Sequence, residues 1–197
     1  MPTAEEMHPV SVEAYLKGEQ SSEVKHEYID GHVYAMAGAS ANHERISQNL
    51  TRAFGNHLEN SPCEPIGSDM KVRIGSKFFY PDVLVDCNFD DSEPYYTESP
   101  TLIVEILSKS TRRTDETTKR LSYVNIPTLQ EYVLIDQDLV DIEVVSRSEG
   151  WQSRRYYLGD DITLESIGLT LSVEEIYRRV KNEDMIKFME DKQAQEK

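Results

Sequence analysis

The chain has 197 residues, of which 29% are charged and 38% are hydrophobic. This length and composition are most simply explained by one soluble globular domain with a substantial core. Its net charge of −15 argues against a general nucleic-acid coating protein, although an enzyme with a local basic patch and a metal ion stays compatible with it. Because no apolar run approaches the length of a membrane span and the N-terminal stretch MPTAEEMHPV lacks the regions of a signal peptide, we expect a cytoplasmic protein that contacts no membrane.

The N-terminal part of the chain alternates helix and hairpin signals. SVEAYLKG (11–18) indicates a short helix capped by Ser11. HEYIDGHVYAM (26–36) consists of two strand-like runs around Asp30-Gly31, which is a strong hairpin signal. Residues 40–60 place apolar side chains at helical spacing and therefore predict a helix with one buried stripe, formed by Ile46, Leu50, Ala53, Phe54 and Leu58.

The hydrophobic period then changes to that of strands. DMKVRI (69–74), FYPDVLVDC (79–87) and TLIVEILS (101–108) predict three strands, RRTDETTKRLSYVN (112–125) predicts a helix, and LQEYVLID (129–136) predicts a further strand. LVDIEVVSR and WQSRRYYL predict a hairpin, and SVEEIYRRV (172–180) begins with a capping box of Ser172 and Glu175. We predict a single domain over residues 1–180, followed by a charged tail or helix over residues 181–197.

The two cysteines carry no recognisable pattern. Cys63 and Cys87 form neither a CxxC pair nor a disulfide framework. We therefore expect both thiols to be reduced and to bind no zinc.

Two acids interrupt the most apolar of the predicted strands. Asp82 follows Pro81 in the second strand, and Glu105 lies at the centre of the third. A buried ionised carboxylate must be paired, bound to a metal or protonated. If the two strands are neighbours, the carboxylates converge and offer the oxygen ligands that Mg²⁺ prefers. The structural alternative is that each acid pairs with a base of the preceding segment, namely Lys71, Arg73 or Lys77.

Proline-aspartate on one strand, followed some twenty residues later by an acid in an apolar strand, resembles the PD-(D/E)xK nuclease superfamily. Over roughly residues 10 to 150 the chain resembles the Uma-two family of restriction-endonuclease-like proteins. The segments that carry this resemblance are HEYIDGHVYAMAGAS, NHERISQNL, YPDVLVDC, LIVEILSKST and RTDETTKRLSYVNIPTLQEYVLID. The resemblance implies an α/β (α+β) fold, with a restriction-endonuclease-like core of helix, three strands, helix and strand, a central mixed sheet and added hairpins.

The resemblance also implies a metal site. It places Mg²⁺ or Mn²⁺ on Asp82 and Glu105, together with the carbonyl of Ile106. The superfamily pattern expects a lysine two residues after the acid, where this chain has Leu107. No ammonium group is available at that position to stabilise charge that develops on a phosphate.

A lysine on the following helix is the expected replacement. The family carries an Asp and a Lys there, matched in this chain by Asp115 and Lys119, which are four residues apart and share a helix face. We expect Lys119 to supply the missing charge, and its alternative is an ordinary surface ion pair of little energetic value. Lys71 and Lys109 are rival candidates.

Further residues are weaker candidates for the same site. Glu27 matches the acid of the family's EYIDG motif and is expected to approach the metal or Lys119; the alternative is a solvated strand charge. His43 matches a recurrent family position, but a histidine at a helix N-terminus more often forms local hydrogen bonds. Asp69 is either a further ligand or a turn residue. The segment from Lys109 to Arg120 contains five bases and two acids, and its candidate phosphate contacts are Lys109, Arg112 and Arg113.

The sequence thus predicts a metal-dependent endonuclease that hydrolyses phosphodiester bonds, with DNA as the expected substrate. A homodimer is expected, because cutting two strands with one site per chain favours a two-fold pair. The main alternative is a nucleic-acid-binding or regulatory protein that has the nuclease fold but weak or no catalytic activity. The absent lysine and the acidity of the chain both favour this alternative. A third alternative is an unrelated function in which the buried acids form a purely structural ion-pair network.

Overall fold

The computed structural model describes residues 9–195. The first eight residues, which belong to the stretch expected to lack a signal peptide, and residues 196–197 lie outside the described part. The helices are α1 (Val12–Glu19), α2 (Ala41–Leu58), α3 (Arg112–Thr114), a π-helical turn (Asp115–Lys119), α4 (Arg120–Tyr123), a 3₁₀ turn (Arg147–Glu149), α5 (Val173–Ile176) and α6 (Glu183–Gln195). The strands are β1 (His26–Ile29), β2 (His32–Ala35), β3 (Glu64–Gly67), β4 (Lys71–Ile74), β5 (Lys77–Phe79), β6 (Val83–Asp86), β7 (Tyr96–Thr97), β8 (Pro100–Leu107), β9 (Glu131–Asp136), β10 (Ile142–Ser146), β11 (Ser153–Tyr156), β12 (Asp161–Leu164) and β13 (Leu169–Ser172).

A six-stranded mixed sheet forms the centre of the molecule, in the order β11-β10-β9-β8-β6-β3. Strands β8 and β9 are parallel, whereas the other neighbours are antiparallel. One face of the sheet packs against α2, α5, α6 and the β12-β13 hairpin. The α/β fold class with a mixed sheet and added hairpins is confirmed.

The opposite face of the central sheet packs against a second sheet and a helix. The second sheet has the order β2-β1-β5-β4-β7, and α1 covers its outer side through Tyr15, which stacks on Tyr28. Between the two sheets lies a second core that contains Phe79, Leu84 and Tyr123. The site described below lies where this second core reaches the end of the central sheet.

Local sequence signals account for the ends of several elements. Ser11 and Ser40 cap α1 and α2 by accepting hydrogen bonds from backbone N–H groups in the first turns, and Ser172 and Glu175 form the predicted capping box of α5. Asp30 and Gly31, with φ of 47° and 97°, form the tight turn between β1 and β2. The buried stripe of α2 is also confirmed.

The predicted strand over residues 79–87 is wrong, because the chain changes sheets there. Strand β5 ends at Phe79 in the five-stranded sheet, and β6 begins at Val83 in the central sheet. Pro81 lies between them and has no N–H group for a strand ladder. The predicted strand at 69–74 corresponds to β4, which likewise belongs to the second sheet. The first strand of the central sheet along the chain is instead β3.

The cysteines are a second correction, since Cys63 and Cys87 form a disulfide. Strands β3 and β6 are antiparallel with Glu64 opposite Asp86, which puts the two cysteines across from each other at one end of the pair. Because the two cysteines are 24 residues apart in the chain, no short cysteine motif in the sequence reveals this pairing.

The charged C-terminal segment forms α6 and is partly buried. Met185 is 5% exposed and Phe188 packs against the first core, so the helix has one apolar side. Asp184 accepts a hydrogen bond of 2.8 Å from the backbone N–H of Val140. A domain division at residue 180 stays a prediction. Within residues 9–195, no helix combines the length and hydrophobicity that crossing a membrane requires.

Candidate active site

The structure brings Asp82 and Glu105 to the same end of the central sheet. Glu105 lies in β8, and Asp82 directly precedes β6, which pairs with β8 up to Val83 opposite Val104. Beyond that pair, the Asp82 Oδ2 atom accepts a hydrogen bond of 2.6 Å from the backbone N–H of Ile106. Because the N–H and C=O groups of one strand residue face the same neighbouring strand, the Ile106 carbonyl also faces the side of Asp82.

His43 contacts the other oxygen of Asp82. Its Nε2 atom lies 3.1 Å from Asp82 Oδ1, and the side chains are 15% and 13% exposed. Ser40 caps α2 and so fixes the helix end from which His43 projects. Burial lowers the pKa of His43, but the hydrogen bond and charge of Asp82 raise it more, so that the net pKa lies above its usual value. The sequence pattern assigned His43 only a local role, and its contact with Asp82 was missed.

Lys119 is surrounded by three carboxylates. Its Nζ atom lies 2.8 Å from Glu27 Oε1, 3.1 Å from Glu105 Oε1 and 3.1 Å from Asp115 Oδ1. The side chains of Lys119, Glu105 and Asp115 are each 4% exposed or less. The expected meeting of Lys119 with the acidic site is therefore present. Asp82 and Glu105 form none of the alternative ion pairs with Lys71, Arg73 or Lys77 among the described residues. Arg73 instead contacts Glu98.

The buried charges of this cluster perturb one another. Burial alone lowers the pKa of Lys119, but the three carboxylates together raise it well above its usual value, which keeps the ammonium group protonated. Burial raises the pKa of Glu105 well above its usual value, and Lys119 only partly opposes this effect. The cluster thus contains three carboxylates and one ammonium group, and the raised pKa means that Glu105 binds a proton more readily than a free carboxylate does.

A π-helical turn positions the lysine. The N–H of Arg120 donates to the carbonyl of Asp115 five residues earlier, and the hydroxyl of Tyr132 donates to the same carbonyl at 3.1 Å. Both Asp115 and Lys119 are buried by this turn. Single π turns within helices recur at functional sites. The sequence predicted one regular helix here and missed the turn.

Tyrosines complete the surroundings of the acids. The Tyr123 hydroxyl donates to Glu105 Oε1 at 3.0 Å, and the backbone N–H of Tyr80 donates to Glu27 Oε1 at 3.3 Å. Neither tyrosine was a sequence candidate, although Tyr123 lies four residues after Lys119 and the helical period places it on the same face.

The rival residues lie elsewhere. The Lys71 ammonium donates to the Tyr80 hydroxyl at 3.3 Å and has a pKa lowered by burial, while Lys109 is exposed in the loop after β8. Asp69 is a surface residue with a 97% exposed side chain that contacts Lys25 at 2.9 Å.

The predicted phosphate contacts differ in availability. Arg113 is exposed, like Lys109, and both lie just beyond the end of β8. Arg112 is bound in ion pairs with Asp136 and Glu116, which reduces its freedom to reach a ligand. A phosphate-binding role for all three stays a prediction.

The donor atoms of the cluster fit a hard divalent cation. Among the described residues no group of three or more His, Cys, Asp or Glu side chains has a metal-binding arrangement. However, Lys119 and Tyr123 both bond to Oε1 of Glu105, and no described residue hydrogen-bonds to its Oε2. Asp115 Oδ1 lies 3.1 Å from Lys119 Nζ, so the ammonium group already occupies one side of this oxygen. A carboxylate oxygen such as Glu105 Oε2 is the kind of ligand that Mg²⁺ uses when it also retains water.

Comparison with known proteins identifies the family. A family model named Uma2 and described as "Putative restriction endonuclease" matches residues 12–174. The chain belongs to the Uma2 family. The resemblance drawn from the sequence motifs is thereby confirmed.

Relatives and a solved structure agree with this assignment. An uncharacterized protein of Synechocystis sp. is 39% identical over 174 residues, which cover 86% of this chain and 92% of the relative. A second uncharacterized Synechocystis sp. protein is 39% identical over 134 residues, which cover 66% of this chain and 76% of that protein. A crystal structure of "a putative nuclease belonging to DUF820" from Anabaena variabilis superposes with a TM-score of 0.72 at 18% identity, covering 86% of this chain and 98% of that chain. At that identity the structural match supports the Uma2 fold alone.

Proposed function

We propose that this Uma2 protein is a metal-dependent endonuclease that hydrolyses phosphodiester bonds, with DNA as the substrate. The observation that carries the proposal is the meeting of Asp82 and Glu105 at one end of the central sheet, where Asp82 bonds to Ile106 N–H at 2.6 Å and Glu105 bonds to Lys119. Membership of a family described as restriction endonucleases supports the reaction class.

Asp82, Glu105 and the Ile106 carbonyl would hold Mg²⁺ or Mn²⁺. When bound, such an ion polarises the phosphodiester and lowers the pKa of an attacking water. His43 holds one oxygen of Asp82 and the Ile106 N–H holds the other, so the carboxylate has a fixed orientation before any substrate arrives.

Lys119 replaces the lysine that the superfamily pattern expects at Leu107. Its protonated ammonium lies against Glu105 and stabilises negative charge that develops on the phosphate in the transition state. Glu27 and Asp115 keep the ammonium protonated and in place, which makes them positioning residues. A homodimer with one site in each chain would cut both strands of a duplex.

Cleavage assays with supercoiled plasmid, single-stranded DNA and RNA test this function. We expect nicking of DNA with Mg²⁺ or Mn²⁺, none with a chelator, and a loss of about 10²-fold or more in Lys119→Gln. Asp82→Asn and Glu105→Gln should be inactive, whereas the surface variant Asp69→Asn should match the parent protein. Metal-independent cleavage, or equal activity of Glu105→Gln, contradicts the proposal.

The second candidate is a nuclease-fold protein that binds nucleic acid or regulates without efficient cleavage. Its specific support is the burial of the cluster, since Glu105 and Lys119 side chains are 3% and 4% exposed and already satisfy each other. This candidate predicts nucleic-acid binding without metal-dependent turnover on any of the three substrates.

A further inference from the structure

Asparagine and arginine alternate along one flank of α2. Because they recur three or four residues apart, they share one side of the helix. The residues are Asn42, Arg45, Asn49, Arg52 and Asn56. The mainly apolar stripe that faces the central sheet lies beside this flank, so the pattern is not part of the hydrophobic core.

The asparagines attach the segment between α5 and α6 to this flank. The Asn42 side chain donates to the carbonyl of Lys181 at 2.9 Å and accepts from its N–H at 3.0 Å. Asn49 donates at 2.9 Å to the carbonyls of both Ile176 and Arg178. This attachment fixes the backbone that carries the exposed side chains of Arg178, Arg179 and Lys181.

The same asparagines orient the arginines of α2 without neutralising them. Arg45 Nη1 donates to Asn42 Oδ1 at 2.9 Å, and Arg52 Nη2 donates to Asn49 Oδ1 at 3.0 Å. An amide partner leaves the positive charge of each guanidinium intact. Two preorganised guanidinium groups with free donors suit phosphate oxygens.

We define the cationic flank as Arg45, Arg52, Arg178, Arg179 and Lys181. No described acid forms an ion pair with any of these five. Of the seven other arginines in the described structure, five form ion pairs, whereas Arg113 and Arg147 do not. The five are Arg73, Arg112, Arg120, Arg154 and Arg155. In a chain with 36 acidic and 21 basic residues, a group of five unneutralised cations on one surface creates a local positive potential against an acidic background.

Two cations of the flank, Arg52 and Arg178, line a cleft. Its volume is about 380 Å³, within the range of ligand-binding clefts, and Asn49, Arg52, Asn56, His57 and Arg178 contribute to its lining. Glu175 also lines the cleft; it accepts from the Ser172 N–H at 3.0 Å in the capping box and keeps its negative charge. Arg52 and Arg178 are the lining groups that suit a phosphate-bearing ligand.

We propose that the cationic flank binds the phosphates of a nucleic-acid strand that runs from the candidate active site along α2. This inference rests on the proposed function for the identity of the strand. The flank begins beside His43, whose Nε2 lies 3.1 Å from Asp82. Arg45 and Arg52 are about 10 Å apart along the helix axis, which is roughly three nucleotide steps of one strand. An anionic membrane surface fits less well, because membrane-surface helices have apolar anchors opposite their bases, whereas this flank has asparagines between them.

The test measures binding without metal. Fluorescein-labelled 20-nucleotide single strands and 20-base-pair duplexes of DNA are titrated with protein in EDTA, by anisotropy, at several NaCl concentrations. The variant is Arg45→Gln/Arg52→Gln/Arg178→Gln. The matched control, Lys17→Gln/Lys187→Gln/Lys192→Gln, removes the same charge from three exposed cations outside the flank.

The flank variant should bind more than tenfold more weakly at low salt. The slope of log K against log[NaCl] should also be smaller in magnitude by about two to three for this variant, because each lost phosphate contact contributes roughly 0.7–0.9 to that slope. The control should stay within twofold of the parent, and Arg45→Lys/Arg52→Lys/Arg178→Lys should retain most of the affinity. Retention by the lysine variant distinguishes lost charge from misfolding.

Several outcomes overturn the proposal. They are parent-like binding by the flank variant, equal weakening by the control, and no binding by the parent. A further outcome concerns phosphatidylserine vesicles. If the flank residues are needed for the protein to sediment with vesicles but not for it to bind oligonucleotides, the flank is a membrane-binding surface and the proposal is overturned. Because the assay contains no metal, its result is separate from catalysis. Cleavage by the parent with normal binding by the flank variant rejects the flank alone, whereas flank-dependent binding without any cleavage rejects the endonuclease alone.

Discussion

At the scale of single residues, Lys119 is the side chain on which most of the candidate site depends. Three carboxylates lie within 3.1 Å of its ammonium group, and all four groups are largely buried. Replacing it by methionine removes the cation and leaves the acids facing one another. We therefore expect Lys119→Met to lower the free energy of unfolding by about 3–5 kcal/mol, as measured by urea denaturation.

Two further variants sharpen this prediction. Lys119→Met combined with Asp115→Asn should recover part of the loss, because one of the opposed acids is gone. Lys17→Met, which removes an exposed lysine from α1, should change stability by less than about 0.5 kcal/mol. A loss below about 1 kcal/mol in Lys119→Met would show that the acids do not need the lysine.

The residues predicted from sequence and those missed differ in one physical respect. Asp82 and Glu105 stand out because a carboxylate in an apolar strand is costly and thus informative. His43 and Tyr123 are polar residues at ordinary helix positions, and their sequence neighbours do not show which acid they will contact. Their contacts with Asp82 and Glu105 arise only when α2 and α4 pack on the ends of the central strands.

At the scale of elements, α6 contributes more to the fold than its charged composition indicates. Removing residues 182–197 would expose the surface that Met185 and Phe188 cover and would break the Asp184–Val140 hydrogen bond. We expect this truncation to lower the free energy of unfolding by about 2–4 kcal/mol, given roughly 1.5–3 kcal/mol for a fully buried large apolar side chain. Truncation after Lys192 keeps these contacts and should unfold like the parent. Equal stability of both truncations would place α6 outside the folded unit, as a division at residue 180 predicts.

The disulfide between β3 and β6 gives a second prediction for an element. Closing a loop of this length restricts the unfolded chain, so reduction should lower the free energy of unfolding by about 2–4 kcal/mol. Cys63→Ser/Cys87→Ser should show the same loss and no further effect of reductant. Titration of two free thiols in the native parent, with no effect of reductant on its stability, would contradict the disulfide.

Elements with local signals were predictable, and those defined by partner strands were not. The hairpin at Asp30-Gly31 and the caps at Ser11, Ser40 and Ser172 are encoded within a few residues. By contrast, the run around Pro81 reads as one strand because apolar residues continue through it, although its two halves join different sheets. Sheet membership depends on which distant strand supplies the hydrogen bonds, and no local pattern contains that information.

At the scale of the whole molecule, the charge distribution accommodates both the acidity of the chain and the proposed nucleic-acid substrate. A net charge of −15 repels a polyanion at long range, whereas the five unneutralised cations of the cationic flank attract it locally. Because salt screens the long-range repulsion more than the contacts at the surface, we expect binding to depend on the local surface more than on the net charge.

The central claim is that Asp82 and Glu105 form one metal site, and calorimetric titration of Mn²⁺ into the purified protein tests it most directly. We expect one saturable site in the parent and in Asp69→Asn, which removes an exposed acid of equal charge. The site should be lost in both Asp82→Asn and Glu105→Gln while their circular dichroism and unfolding remain native. Mn²⁺ binding that persists unchanged in both variants, or no binding by the parent, would contradict the metal site and leave the two acids as part of a structural ion-pair network.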